Sequence, residues 1–86
     1  MQTYPVEIYI KAYDRAGLLR DVSQLLANEK LNVLEVSTRT NRDDNYAVML
    51  LTVEIPNLDL LGRLLGRINQ LPNVIETRRN RQEGRA

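Results

Sequence analysis

Apolar and polar residues alternate from Val6 to Tyr13. Val6, Ile8, Ile10 and Ala12 share one face and Glu7, Tyr9, Lys11 and Tyr13 the other, the period of two of a half-buried strand. Asp14-Arg15-Ala16-Gly17 then reads as a turn, with Asp14 as the helix-start residue. Leu18, Leu19, Val22, Leu25 and Leu26 follow helical spacing and predict a helix to about Lys30. The β-branched run from Val33 to Thr40 predicts a second strand, and Asn41–Asn45 a polar hairpin loop. Tyr46–Ile55 alternates again. Pro56-Asn57 stops that strand and supplies a helix cap, with Asp59 well placed in the first turn. Leu58, Leu61, Leu64, Leu65, Ile68 and Leu71 form a second helical stripe, and Val74–Arg79 a short last strand.

The order is βαββαβ. Short connections and right-handed crossovers leave few arrangements of it. The expected one is an α+β ferredoxin-like sandwich, a four-stranded antiparallel sheet in order 4-1-3-2 with both helices on one face. Its expected core is aliphatic: Val6, Ile8 and Ile10; Leu18, Val22, Leu25 and Leu26; Leu34 and Val36; Met49, Leu51 and Val53; Leu61, Leu65 and Ile68. The other sheet face carries Tyr9, Tyr13, Tyr46, Val48 and Leu50, an apolar set for a face in water and a candidate docking surface. The second strand is expected at the sheet margin with unpaired backbone groups, so Val33, Glu35 and Ser37 join the candidate interface, for a homodimer through the sheet. The domain is expected to span residues 4–79, with 80–86 a flexible basic tail.

Composition narrows the chemistry. The chain has no cysteine and no histidine, which removes disulfides, thiolate chemistry, the commonest metal ligands and the commonest general base. Ser23 and Ser37 therefore have no histidine to activate them, and Asp43-Asp44 reads as a solvated turn rather than a ligand set. Gly62-Arg63-Leu64-Leu65-Gly66 is not a phosphate loop. It places two glycines one helical turn apart, either for the close approach of another backbone or as tolerated surface positions. No cofactor is implied. The net charge of +1 conceals a tail from Arg78 onward with four arginines against Glu83, net +3, and a body with eight basic and ten acidic residues, net −2. The body therefore lacks the basic character of a free nucleic-acid-binding domain, and the tail either touches phosphate or is a solvated end. No apolar run reaches membrane-span length and the start does not read as a signal peptide, so the expected location is the cytoplasm, with no membrane contact.

The first strand-to-helix turn is the candidate ligand site. Gly17 has no Cβ to hold a ligand off the backbone, and a helix N-terminus suits a carboxylate. Asn32, at the entry to the second strand, can both donate and accept, as a zwitterion requires. The same residues also fit purely structural roles in the turn and at the helix exit.

Asp14-Arg15-Ala16-Gly17-Leu18-Leu19, followed after one helix by Leu31-Asn32-Val33, resembles the ACT domain, a βαββαβ regulatory module, over about Tyr4 to Arg79. A narrower likeness, in Tyr13–Val22, Leu26–Val33 and Asn69–Ile75, is to the C-terminal ACT domain of RelA/SpoT-type (p)ppGpp synthetases and hydrolases, the GTP pyrophosphokinases of the stringent response. The resemblance implies a non-catalytic tail of a longer enzyme that pairs with a second copy or docks on the rest of the parent. It also implies an amino acid at the pair interface, held by Asp14, Arg15, Ala16, Gly17, Leu18, Leu19, Asn32 and Val33. Ala16 stands where a proline is frequent, which loosens the turn but leaves its backbone donors, and Ala12 stands where serine-binding members have a histidine. The Leu-lined surroundings suit a small aliphatic amino acid, which is the expected ligand. The other reading is a docking module for RNA or the ribosome, because the RRM shares the element order and stacks bases on sheet aromatics. Tyr46-Ala47-Val48-Met49-Leu50 lacks the RRM signature, although Tyr9 sits on the first strand.

Overall fold

The structure is a computed structural model and describes residues 2–13 and 15–81. Strand β1 (Tyr4–Ala12) leads into helix α1 (Arg15–Glu29), then β2 (Val33–Asn41), β3 (Tyr46–Ile55), helix α2 (Leu58–Asn69) and β4 (Val74–Arg79). The strands form one antiparallel sheet in the order β2-β3-β1-β4, which is the expected 4-1-3-2. β1 and β3 lie at its centre, with Ile8 opposite Leu51 and Ile10 opposite Met49. Because the side-chain period is two, this register sends Val6, Ile8, Ile10 and Ala12 and their partners on β3 to the helix side together.

Both helices are held by identifiable ends. Asn57 caps α2: its side chain accepts from the Leu60 N–H at 2.8 Å, with Asp59 in the first turn and Arg67 in the last. α1 ends in a Schellman turn. The Leu31 N–H reaches the Leu26 carbonyl and the Lys30 N–H the Ala27 carbonyl, both at 3.1 Å, with Lys30 at φ 58° where glycine is usual. The β2–β3 turn is closed by the Asn41 side chain, which accepts from the Asp44 N–H at 3.1 Å, and by Asn45 at φ 62°. An Arg67–Glu29 ion pair ties the two helices on their exposed side.

The core is aliphatic and differs from the expected one at its margins. Ala12, Ala47, Ile55 and Leu64 belong to it, while Leu25 and Leu65 pack against it half-buried. Leu34 and Val36 are not core residues: they are 50% and 44% exposed. A register irregularity between Val33 and Glu35 displaces Leu34, and β2 is the outermost strand, so Val36 has cover on one side only. Asn80, where the expected tail begins, is fastened to β1. Its N–H donates to the Glu7 carbonyl at 2.8 Å and its side-chain amide to the Glu7 carboxylate at 2.9 Å. The remaining tail residues 82–86 lie outside the described residues.

Candidate functional site

The helix stripe on α1 decides where an opening forms. Leu18, Val22 and Leu26 are buried, one per turn, and point the helix at the sheet. Leu19, expected in the same stripe, is 47% exposed. It stands over a gap between α1 and the sheet margin. The gap is an apolar groove of about 370 Å³, walled by Leu19, Ser23 and Ala27 of α1 and by Val33 and Val36 of β2, with Met49 at its floor. Sequence reasoning missed it because Val36 was assigned to a closed core. The half-empty edge of a sheet covered by one helix was the available signal.

Among the described residues, only Leu19 and Val33 of the expected ligand set line this groove; the others are not gathered there. Gly17 is buried in the first turn of α1, Ala16 is exposed beside it, and Leu18 belongs to the core. Asp14 and the Arg15 side chain lie outside the described residues. Asn32 lies beyond the other end of α1. At 1.5 Å per residue, the helix axis from Gly17 to Glu29 is ~18 Å long, so Gly17 and Asn32 do not meet within one copy. Asn32 is also committed across the sheet. Its side-chain amide donates to the Glu54 carboxylate at 3.0 Å, and its carbonyl accepts from the Glu54 N–H at 2.9 Å. Glu54 is thus the partner of Asn32, which the sequence reading did not identify. Only the β2–β3 register places it beside Asn32, on the wall of a separate hollow of about 310 Å³ formed with Lys30, Pro56 and Leu60.

β2 presents its outer margin along nine residues, Val33 to Asn41, and pairs with β3 alone. In an antiparallel strand alternate residues turn their N–H and C=O groups outward, so about half of β2 lacks a ladder partner on that side. The open sheet face is less apolar than expected. Tyr13 falls past the end of β1 and is 62% exposed, while Tyr9, Tyr46, Val48 and Leu50 are half-buried. The two strand tyrosines carry cations from their own chain. The Arg78 guanidinium carbon lies 4.1 Å from the Tyr9 ring centre and the Lys11 Nζ 4.3 Å from that of Tyr46. A nucleobase would have to displace these cations to stack, which weighs against an RRM-like use of the face. Among the described residues there is no group of three or more Asp or Glu placed to hold a metal ion, and no helix long and apolar enough to cross a membrane.

The comparisons with known proteins agree with this fold. Residues 1–79 match the family model described as the ACT domain. Among curated relatives, 76 residues are 49% identical to the GTP pyrophosphokinase of Escherichia coli (strain K12), covering 88% of this chain and 10% of that protein. The bifunctional (p)ppGpp synthase/hydrolase RelA of Mycobacterium tuberculosis is 36% identical over 74 residues, 86% of this chain and 10% of that protein. The chain therefore spans about a tenth of the length of the curated relatives it matches. Among solved structures, the ACT domain from the GTP pyrophosphokinase of Chlorobium tepidum superposes with a TM-score of 0.77 at 18% identity, over 92% of this chain and all of that one. An ACT domain protein from Streptococcus pneumoniae gives 0.70 at 22% identity, over 92% and 91%. The fold, the order of its strands and the match along nearly the whole sequence converge: the chain belongs to the ACT-domain family.

Proposed function

We propose that this chain is the non-catalytic regulatory domain of a (p)ppGpp synthetase/hydrolase of the GTP pyrophosphokinase kind. It acts by pairing along its β2 edge, or by docking on the rest of its parent, and it takes a small aliphatic amino acid at the shared margin. One observation carries the reading: Gly17 and the bonded Asn32–Glu54 pair lie at opposite ends of α1, which one copy keeps ~18 Å apart. A two-fold axis normal to the sheet, at the β2 margin, sets a second α1 antiparallel to the first. The start of one helix then lies near the end of the other. Centred on Ser37, the same axis places Glu35 opposite the second copy's Arg39, twice, and satisfies the outward backbone groups of both strands. The ligand carboxylate would meet the positive end of one α1 at the Gly17 turn. Its ammonium would meet the Asn32–Glu54 pair of the other copy, and its aliphatic side chain the groove beside Leu19, Val33 and Val36.

Each site is incomplete until two copies meet, so ligand and pairing are linked: the amino acid binds the pair more tightly than the single chain and shifts the equilibrium toward it. Passed to a parent enzyme, such a preference is expected to be worth about 1–3 kcal/mol between its states. The test is thermal melting of the chain with a panel of amino acids, together with sedimentation equilibrium. An aliphatic amino acid at about 100 times its Kd should stabilise by roughly 2.7 kcal/mol and increase the dimer fraction. Glu54→Ala should abolish that shift while leaving the apo midpoint nearly unchanged. No shift with any member of the panel removes the sensing role, and a monomer at all concentrations removes the edge pair.

A further inference from the structure

The open face of the sheet has a charge pattern that inverts from one end to the other. Three successive cross-strand rows face away from the helices. The first runs Glu35 on β2, Thr52 on β3 and Glu7 on β1, with Asn80 fastened beside it and Arg81 next along the chain. The middle row is Ser37, Leu50, Tyr9 and Arg78, and the third is Arg39, Val48, Lys11 and Glu76. From β2 to β4 the first row reads negative, neutral, negative, then neutral to positive. The third reads positive, neutral, positive, negative. Among the described residues Glu35, Arg39, Glu7 and Lys11 form no ion pair, although each row sets two like charges on one small face. Open hollows lie at both ends, one of about 420 Å³ beside Glu7 and Glu35, with Arg79 and Arg81 at its outer rim, the other of about 480 Å³ beside Arg39 and Arg42.

We propose that this face stacks on the same face of a second copy about a two-fold axis that runs parallel to the sheet, midway between the two copies, over the Ser37–Leu50–Tyr9–Arg78 row. The operation keeps each strand over its own counterpart and exchanges the outer rows. Glu7 then meets the second copy's Lys11 and Glu35 its Arg39, each twice, while Leu50 and Tyr9 close on themselves at the centre. The two Arg78 side chains, each paired with its own Glu76 and stacked on its own Tyr9, meet at one end of the axis. A two-fold axis along the strands instead sets Glu7 over Thr52 and Lys11 over Val48, with no compensation for either charge. Facing sheets pack about 10 Å apart and cross at ~30°. The central strands lie only a few ångströms from the axis, so the Glu7–Lys11 contacts survive this rotation best. With strands about 4.8 Å apart the three rows cover a patch of roughly 19 by 20 Å on each copy, below the standard size of specific interfaces and in the range of weak, transient ones. The association is therefore weak and salt-sensitive. It does not depend on the edge pairing or on any ligand.

The experiment is sedimentation equilibrium of the 86-residue chain up to 1 mM at low salt, with variants on β1 and β3 that the β2 margin does not reach. Glu7→Lys and Lys11→Glu should each weaken self-association at least tenfold by opposing like charges twice. The double variant E7K/K11E restores the pairs in exchanged form and should recover most of it. Leu50→Lys should abolish the contact while leaving any edge dimer intact, and Val36→Glu should do the reverse. As a readout that does not depend on charge variants folding well, Leu50→Cys in this cysteine-free chain should oxidise to a covalent dimer, and Gly62→Cys on α2 should not. A double variant as weak as the singles, an L50K variant that associates as well as the parent, or no excess of L50C cross-linking overturns the proposal. Loss of association in both L50K and V36E would mean that one interface, not two, is present.

Discussion

Replacing both Gly62 and Gly66 by alanine should stabilise the chain substantially. The two positions are interior to α2, which runs Leu58–Asn69, and a glycine in a helix interior costs about 0.8–1.0 kcal/mol relative to alanine. Whether that gain is realised depends on the space for a methyl group. A Cβ built at either position has no atom within 4 Å outside the helix's own backbone and the immediate chain neighbours, so no clash offsets the propensity term. The sum is ~1.6–2 kcal/mol for the double variant, with little coupling because neither methyl has a partner to share. For a domain of this size each kcal/mol moves the midpoint by roughly 4–8 °C, which predicts a rise of about 6–16 °C. The assay is thermal denaturation followed by far-UV circular dichroism at low micromolar concentration, where weak self-association is absent. The single variants should each give about half the shift. An unchanged or lowered midpoint would refute the reasoning, because it would mean that something packs closely on this face of α2 in the isolated chain.

Three further substitutions test the local physics. Lys30→Gly should stabilise by about 1 kcal/mol, because Lys30 holds the left-handed conformation that a side chain disfavours; unchanged chemical denaturation would count against the Schellman end of α1. Asn57→Ala should cost about 1 kcal/mol through loss of the cap on the Leu60 N–H, read as a lower urea midpoint at constant slope. Thr77→Val should raise the thermal midpoint by a few degrees, since the Thr77 hydroxyl is buried without a hydrogen-bond partner and valine keeps its shape; a lowered midpoint would mean that the hydroxyl is satisfied in solution.

The fold was legible where one periodicity ran unbroken. β1 and β3 are buried on one face and half-covered on the other, so their alternation translates directly into sheet register. α2 was equally clear because its stripe, its cap Asn57 and its acidic first turn agree. β2 was not. Its branched residues announce a strand without stating which face is covered; the irregularity after Val33 shifts the alternation at Leu34, and Val36 keeps the helix side but lies at the margin that α1 leaves open. The site was legible in part for the same reason. Gly17 and Asn32 stand out by residue type and by resemblance. Glu54 becomes a neighbour of Asn32 only through the β2–β3 register, and the groove appears only through the way one helix leaves the sheet margin uncovered.

The two self-contacts proposed for this chain are geometrically compatible, and their combination has a definite consequence. The edge axis stands normal to the sheet at the β2 margin beside Ser37, and the stacking axis runs parallel to the sheet, above the row that contains Ser37, so that the two cross. Two perpendicular two-fold axes that intersect generate a third, so both contacts together close into a tetramer with dihedral symmetry rather than an open fibre. Edge pairing first builds a continuous eight-stranded sheet, which doubles the face available for stacking, so each contact strengthens the other through area and fixed orientation. An amino acid that favours the edge pair should therefore also raise the tetramer fraction, although it touches no residue of the stacked face. Sedimentation of the L50K variant with the ligand isolates the two effects: it should show the ligand-promoted dimer and no tetramer. A ligand response in L50K that still reaches the tetramer would place the second contact somewhere other than the open face.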